Sequence, residues 1–279
     1  MASHIVGIDH AIIGVRNLET AKRVYEELGF RATPRGRHVG WGTANYCLMF
    51  ERNYIEILGI VDHEAFSNNL DRFLKTKEGL FSVVLKSTDA EATHAAWTEA
   101  GLEPHEVKDL SRLLEPDTEL RFQNVTLDTP LTDGLSMFAC RHLTPDDMRQ
   151  PGWAEHPNGA VGIKAITVVT DHPGALVEPM GQVFGSAKVT ETDNTVAVHT
   201  GNGALLFATP DDLDMLHPQL PLTPDTDQLT IAVLSLTVRD LRGTTDWLNK
   251  NGIPFRRDAS GAIGVSAEHA HGVMLEFSN

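Results

Sequence analysis

The chain is patterned as short apolar runs broken by turn residues, not as long amphipathic stretches. The first run, GIDHAIIGV (7–15), is dense in Ile, Ala and Val and reads as a strand, yet it carries His10 near its start. Asn17 follows as a good N-cap. In LETAKRVYEELG, Leu18, Ala21, Val24, Tyr25 and Leu28 make an apolar stripe at helical spacing, and Gly29 stands at the C′ position. FRATP, GTANYCLMF and NYIEILGI then read as three short strands separated by turn residues. The first module is therefore strand, helix, strand, strand, strand.

The same order returns at the C-terminus in IAVLSLTV, RDLRGTTDWLNKNG, IPFRRD, GAIGVSA and GVMLEFS. VRNL at 15–18 and VRDL at 238–241, like Gly29 and Gly252, stand at one offset of 223 residues. Two weaker copies lie between. One runs from FSVVLKS through DAEATHAAWTEAG to VTLD and LSMFACRHL. The other runs from IKAITVVT through HPGALVEPMGQVFG to TVAVHT and ALLFAT, and Pro179 predicts that its helix is short or kinked. The predicted fold class is α+β: four tandem βαβββ modules paired into curved, barrel-like sheets with helices outside. The expected division is two modules in 1–145 (1–62 and 78–145), a linker at 146–161, and two modules in 162–279 (162–209 and 228–279) joined by a Pro/Asp-rich connector at 209–228.

Composition narrows the function. The formal net charge is −15 and no Lys/Arg-rich run offsets it, which argues against a nucleic-acid partner. No apolar run approaches the roughly 20 residues of a membrane span. The N-terminus lacks the pattern of a secretory signal, and the two cysteines, Cys47 and Cys140, form no framework, so a cytoplasmic location is expected.

The segment GIDHAIIGV…ATPRGRHVGWGTANYCLMF…NYIEILGI, with the ending HGVMLEF, resembles the vicinal oxygen chelate superfamily, which includes glyoxalase I, methylmalonyl-CoA epimerase, extradiol dioxygenases and fosfomycin-resistance proteins. It is closest in pattern to the glyoxalase-like branch, where a β1 histidine, a G-x-H…G-T-x-N stretch and a β4 glutamate recur. The resemblance covers nearly the whole chain in architecture and the first and last modules in motif. It implies one divalent transition metal (Fe, Mn, Ni, Co or Zn), a small-molecule substrate, and modules that pair within or between subunits, leaving a homodimer open.

Strand alternation tests that implication. Ala11, Ile13 and Val15 suit the helix-packed face, which puts Ile8, His10 and Ile12 on the concave face. In YIEIL, Ile55 and Ile57 face the helix, so Tyr54, Glu56 and Leu58 point with His10. A carboxylate centred in an apolar strand is costly unless paired or bound to a cation. His10 and Glu56 are thus the first two expected metal ligands, a mixed N/O set suited to these ions. His142, in MFACRHL, is the third if modules one and two close a cleft. Glu276, in VMLEF, is nearer if module one pairs with four, and is the expected general base if unbound. His38, Trp41, Thr43 and Asn45, in RGRHVGWGTANY, are expected to line the substrate site; the competing reading is a tight hairpin. At the place of His10, module two has Phe81 or Ser82, module three about Lys164, and module four Val233, so at most one metal site is expected. His269 and His271 are read as a solvated turn, Arg141 as an outward salt-bridge partner, and LHPQLPLTP as plain linker.

The leading functional expectation is a glyoxalase-like metalloenzyme doing isomerase or lyase chemistry through an enolate-type intermediate. An extradiol-type ring-cleaving dioxygenase is second, because those enzymes carry four modules but keep their metal in the C-terminal half. A non-catalytic binding or resistance protein is third.

Overall fold

The computed structural model describes residues 4–127, 136–220 and 230–279. The first module is β1 (Ile5–Val15), α1 (Leu18–Glu27), β2 (Gly36–His38), β3 (Thr43–Met49) and β4 (Tyr54–Ile60). Helix α2 (Leu70–Thr76) leads into β5 (Gly79–Ser87), α3 (Ala90–Glu99), β6 (Lys108–Leu114), β7 (Thr118–Thr126) and β8 (Ser136–His142). The third module is β9 (Ala160–Val169), a 3₁₀ turn at Pro173–Leu176, α4 (Val177–Phe184), β10 (Val189–Glu191), β11 (Thr195–His199) and β12 (Ala204–Ala208). Helix α5 (Pro210–Leu216) precedes β13 (Thr230–Val238), α6 (Leu241–Lys250), β14 (Arg256–Arg257), β15 (Ile263–Val265) and β16 (Met274–Ser278). The fold is α+β, four tandem βαβββ modules in two curved sheets with helices outside. None of the described helices is long and apolar enough to cross a membrane.

Local chemistry sets the helix starts. Asn17, Asp89, Thr209 and Asp240 each accept a backbone N–H of the first turn. Gly29 ends α1 at φ +90°, and a Cβ there would fall 2.7 Å from the indole nitrogen of Trp247, so both conformation and space call for glycine. Pro179 sits in the first turn of a short α4, where a missing N–H breaks no helical bond.

The sequence pattern is corrected at four places, one of them the short strand β10, which the reading of the third module leaves out. FRATP is not a strand: β2 starts at Gly36, because Pro34 has no N–H for a ladder and Phe30 turns into the core. Strand β6 is not foreseen, since its KDLSRLL alternates weakly and carries charge on both faces. Helices α2 and α5 also lie in stretches read as connections.

Strands of the first two modules close into a barrel ordered β1-β4-β3-β2-β6-β7-β8-β5. The closing seam is short: β2 pairs with β6 through Gly36–Leu114, Arg37–Leu113 and His38–Arg112. The other eight-stranded sheet, β10-β11-β12-β9-β13-β16-β15-β14, stays open. Its edge strands have three and two residues, too few to reach across.

Both sheets share one core, in which Phe30 meets Phe50 and Phe277 at centroid distances of 6.5 and 6.2 Å. Reciprocal asparagines pin the halves together. Just before β4, Asn53 accepts from Ile163 N–H (2.9 Å) and donates to its carbonyl (3.3 Å). Just before β12, Asn202 does the same for Ile8, at 2.7 and 2.8 Å. The segment 146–161 is also built in: Met148 is buried in the barrel, and His156 accepts from Arg31 N–H while donating to the Met49 carbonyl.

Replacing Asn202 by Ala leaves the Ile8 N–H and C=O without these partners and should lower unfolding free energy by about 1–3 kcal/mol in denaturant titration. Burial lowers the His156 pKa to about 4, and the N–H of Arg31 at Nδ1 keeps the ring neutral. The folded pKa lies below the unfolded one, so its contribution is complete above about pH 6.5 and fades as pH falls toward 4. The wild type should therefore lose stability across that window more steeply than His156→Asn, by at most about 1.4 kcal/mol per pH unit.

Candidate active site

The barrel interior holds a cavity of about 320 Å³, within the range of small-molecule sites. Its exposed wall area is mostly apolar, with Tyr54, Phe81, Phe122 and Phe138 among the lining residues, and its polar lining includes a group formed by His10, His38 and Glu56.

His10 is at the centre of that group. It stacks on Tyr54 (4.4 Å between centroids, 17° between planes), and its Nδ1 lies 2.8 Å from Asp9 Oδ2 while Nε2 lies 3.3 Å from Glu56 Oε2. Asp9 Oδ2 also accepts from Nε2 of His142, at 2.8 Å. Glu56 is fixed from behind by the Asn45 amide, which donates to Oε1 at 2.5 Å. His38 Nε2 stands 3.8 Å from the same oxygen, and its Nδ1 is 2.9 Å from Thr43 Oγ1.

A backbone irregularity brings Asp9 into this group. In the β1–β5 ladder Ile8 pairs with Leu85 and His10 with Val84, so Asp9 is an extra residue in a β-bulge. A bulge breaks strict alternation and re-aims side chains, placing Asp9 and His10 in contact. It also corrects the expected position of Ile8, which packs in the outer core instead of the concave face. Ala11, Ile13, Val15, Ile55 and Ile57 share that outer core, and Ile12, Tyr54 and Leu58 belong to the barrel interior.

Burial and charge set the ionisation. Burial alone would raise both carboxylates, but the imidazoles outweigh it: Asp9 is held well below the usual range by His142 and His10, and Glu56 falls to about 2 through His10, His38 and Arg112. Burial would lower His10, yet Asp9 and Glu56 together raise its pKa. His38 goes the other way, down to about 4, because burial dominates over Glu56.

The structure brings His10 and Glu56 together and places His142 one step behind them, on Asp9. Glu276 lies in the other sheet, on β16, where His217 Nδ1 contacts its Oε2 at 2.7 Å and Gln219 donates to the same atom. Barrel closure thus puts module two, not four, across from Glu56. His38 and Trp41 line the cavity, whereas Thr43 and Asn45 stand behind and hold His38 and Glu56.

These residues suit a divalent ion. Ligands bonded at about 2.0–2.2 Å and cis to one another sit roughly 3 Å apart, close to the spacing of His10 Nε2 and Glu56 Oε2. Asp9 on Nδ1 is the carboxylate–histidine support that aims such a nitrogen. Asp9, Cys140 and His142 also offer ligand atoms within 4.8 Å of one another. Burial pushes the Cys140 thiol well up, so ligation there must first remove its proton.

Asp9, Arg112 and Asn124 are missing from the sequence-based set. Asp9 left a trace, an acid in a buried strand beside His10. Arg112 and Asn124 belong to the β6–β7 hairpin, whose first strand the hydrophobic pattern does not show.

In metal-free protein, Asp9→Asn should lower the His10 pKa, read from imidazole nitrogen shifts by NMR, because one of its two carboxylate partners becomes neutral. The same change should destabilise the fold by about 3 kcal/mol, the order found when a buried ion pair loses one member.

Similarity to known proteins covers the whole molecule. A hypothetical protein from Staphylococcus aureus superposes with a TM-score of 0.70 at 13% identity, over 97% of this chain and 98% of that one. A variant of 4-hydroxymandelate synthase from Streptomyces coelicolor follows at 0.63 and 13% identity, over 98% and 92%. A xylose isomerase-like TIM barrel/4-hydroxyphenylpyruvate dioxygenase fusion protein gives 0.58 at 12%, over 99% of this chain and 49% of that one. No curated protein matches the sequence. The sequence profile of a glyoxalase-like domain matches residues 8–184, which contain all of the barrel but the first three residues of β1, and every polar group described around His10. The chain belongs to the glyoxalase-like domain family, within the vicinal oxygen chelate superfamily.

Proposed function

We propose that the barrel is the active site of a metal-dependent, glyoxalase-like enzyme that performs isomerase or lyase chemistry on a small oxygenated substrate. The observation that carries this reading is the convergence of His10 Nε2 and Glu56 Oε2, 3.3 Å apart, on a largely apolar cavity. A divalent ion held there supplies positive charge against substrate oxygens on which negative charge develops.

The chain's own residues prepare that place. Asp9 keeps a proton on Nδ1 of His10 and so leaves Nε2 to face the cavity side of Glu56. Asn45 fixes one oxygen of Glu56 and frees the other. His38, neutral and on the cavity wall, is the group able to carry a proton to or from a bound substrate. Aromatic walls exclude water and strengthen each of these interactions.

The fold shared with 4-hydroxymandelate synthase and the 4-hydroxyphenylpyruvate dioxygenase fusion supports a second reading, a dioxygenase. Against it stands the position of the polar cluster in the N-terminal barrel, not the C-terminal half.

Protein purified without chelators should carry close to one equivalent of a transition metal by elemental analysis, and the His10→Ala/Glu56→Ala double variant should lose it. Metal-free wild-type protein that still binds aromatic compounds would mark a sequestering protein instead. Oxygen consumption with catechols would move the assignment to the dioxygenase.

A further inference from the structure

Arg112 is a buried cavity group that the reading above leaves unused. It is 3% exposed, on β6, and it lines the same cavity as His10 and Glu56. Its guanidinium has weak partners: Nη1 donates to Cys47 Sγ (3.1 Å), Nη2 to Met148 Sδ (2.9 Å), and the group lies 5.7 Å from the Phe122 ring centroid. Its Nε–H has no partner at all. Among the described residues, no carboxylate approaches it within the 4.0 Å of a salt bridge. A buried cation served by sulfur atoms and an aromatic face is expensive to keep, since such charges are ordinarily paired with an anion.

The fold nevertheless makes room for it. Arg112 is paired with His38 in the closing seam, and its stem lies over Gly36, where an added Cβ would be 3.0 Å from Cδ. On β7, Oδ1 of Asn124 is also buried without a partner, and it lines the same cavity four residues along the hairpin from Leu120, the residue opposite Arg112. The cavity lining therefore presents both an unmet N–H on a fixed positive charge and an unmet acceptor, together with aromatic side chains.

We infer that the substrate is a small organic anion whose acidic group is seated on Arg112 while a hydroxyl or N–H donor reaches Asn124. A guanidinium favours a planar carboxylate through paired N–H bonds, and a phosphonate shares the same chemistry. The aromatic walls suit an unsaturated or aromatic body. This inference rests on the barrel cavity being the active site, and it adds the class of molecule that enters.

Calorimetric titration of the purified, metal-loaded protein with phenylacetate, phenylphosphonate and neutral phenylacetamide tests it. An anion should bind at least tenfold more tightly than the amide, and the better of the two anions identifies the acidic group. Arg112→Met, which keeps an apolar stem beside Cys47 and Met148, should abolish the preference while the metal content stays at the wild-type level. Arg112→Lys should retain part of it. Equal binding of amide and anions by the wild type overturns the inference, as does an anion preference that survives in Arg112→Met or the absence of binding of either anion at millimolar concentration. Should Arg112→Met fail to fold, the wild-type comparison and Arg112→Lys still decide. Loss of metal in His10→Ala/Glu56→Ala is a separate readout, so failure of the metal reading and failure of the anion site are told apart.

Discussion

Closure of the first sheet is the constraint on which the rest of the molecule depends. Three residue pairs between β2 and β6 convert a curved sheet into a barrel, and that closed wall buries a group of charges next to a cavity. The open second sheet makes the contrast. Its corresponding edges are too short to meet, and its inner residues Val169 and Val233 are covered by Leu213 and Leu220 of the preceding connection. Glu276, the sequence counterpart of Glu56, is accordingly engaged by His217 and Gln219 of that connection. Equivalent residues thus have different chemistry because one sheet encloses space and the other is filled by its own chain.

Within the barrel, the bulge at Asp9 organises the polar group. One extra residue sets a carboxylate between two imidazoles, so that Glu56, His10, Asp9 and His142 form a continuous series of alternating acid and base. In low dielectric surroundings such a series is stable only when each charge has a partner, and here each does. The bulge follows Ile8, whose backbone groups are fixed by Asn202 from the other half. The second half therefore contributes to the site by holding the strand from which it is built.

Among the described residues, polar satisfaction fails at Arg112 and Asn124, on the β6–β7 hairpin lining the cavity, and at Gln219 and Ser235 in the second half. Native interiors rarely leave such groups unmet. Arg112 and Asn124 both line the cavity beside the acid–base series around His10, and Arg112 also acts on that series through the charge of Glu56.

By itself the sequence determined the module: strand periodicity, the cap at Asn17, and the glycines at 29 and 252 are local features, and they recur wherever the same local physics applies. Alternation also identified the inward set His10, Ile12, Tyr54, Glu56 and Leu58, because period-two burial is encoded residue by residue. Tertiary structure decided the rest. Which modules pair is a long-range choice, and it alone placed His142 near the site and Glu276 away from it. Asp9 entered through a bulge, which depends on the register against β5 and has no signature in alternation. Arg112 entered through a strand whose polar pattern looks like a loop until β2 and β7 flank it. Local rules fix which face a side chain takes on a regular strand; only the closed barrel fixes what that face meets.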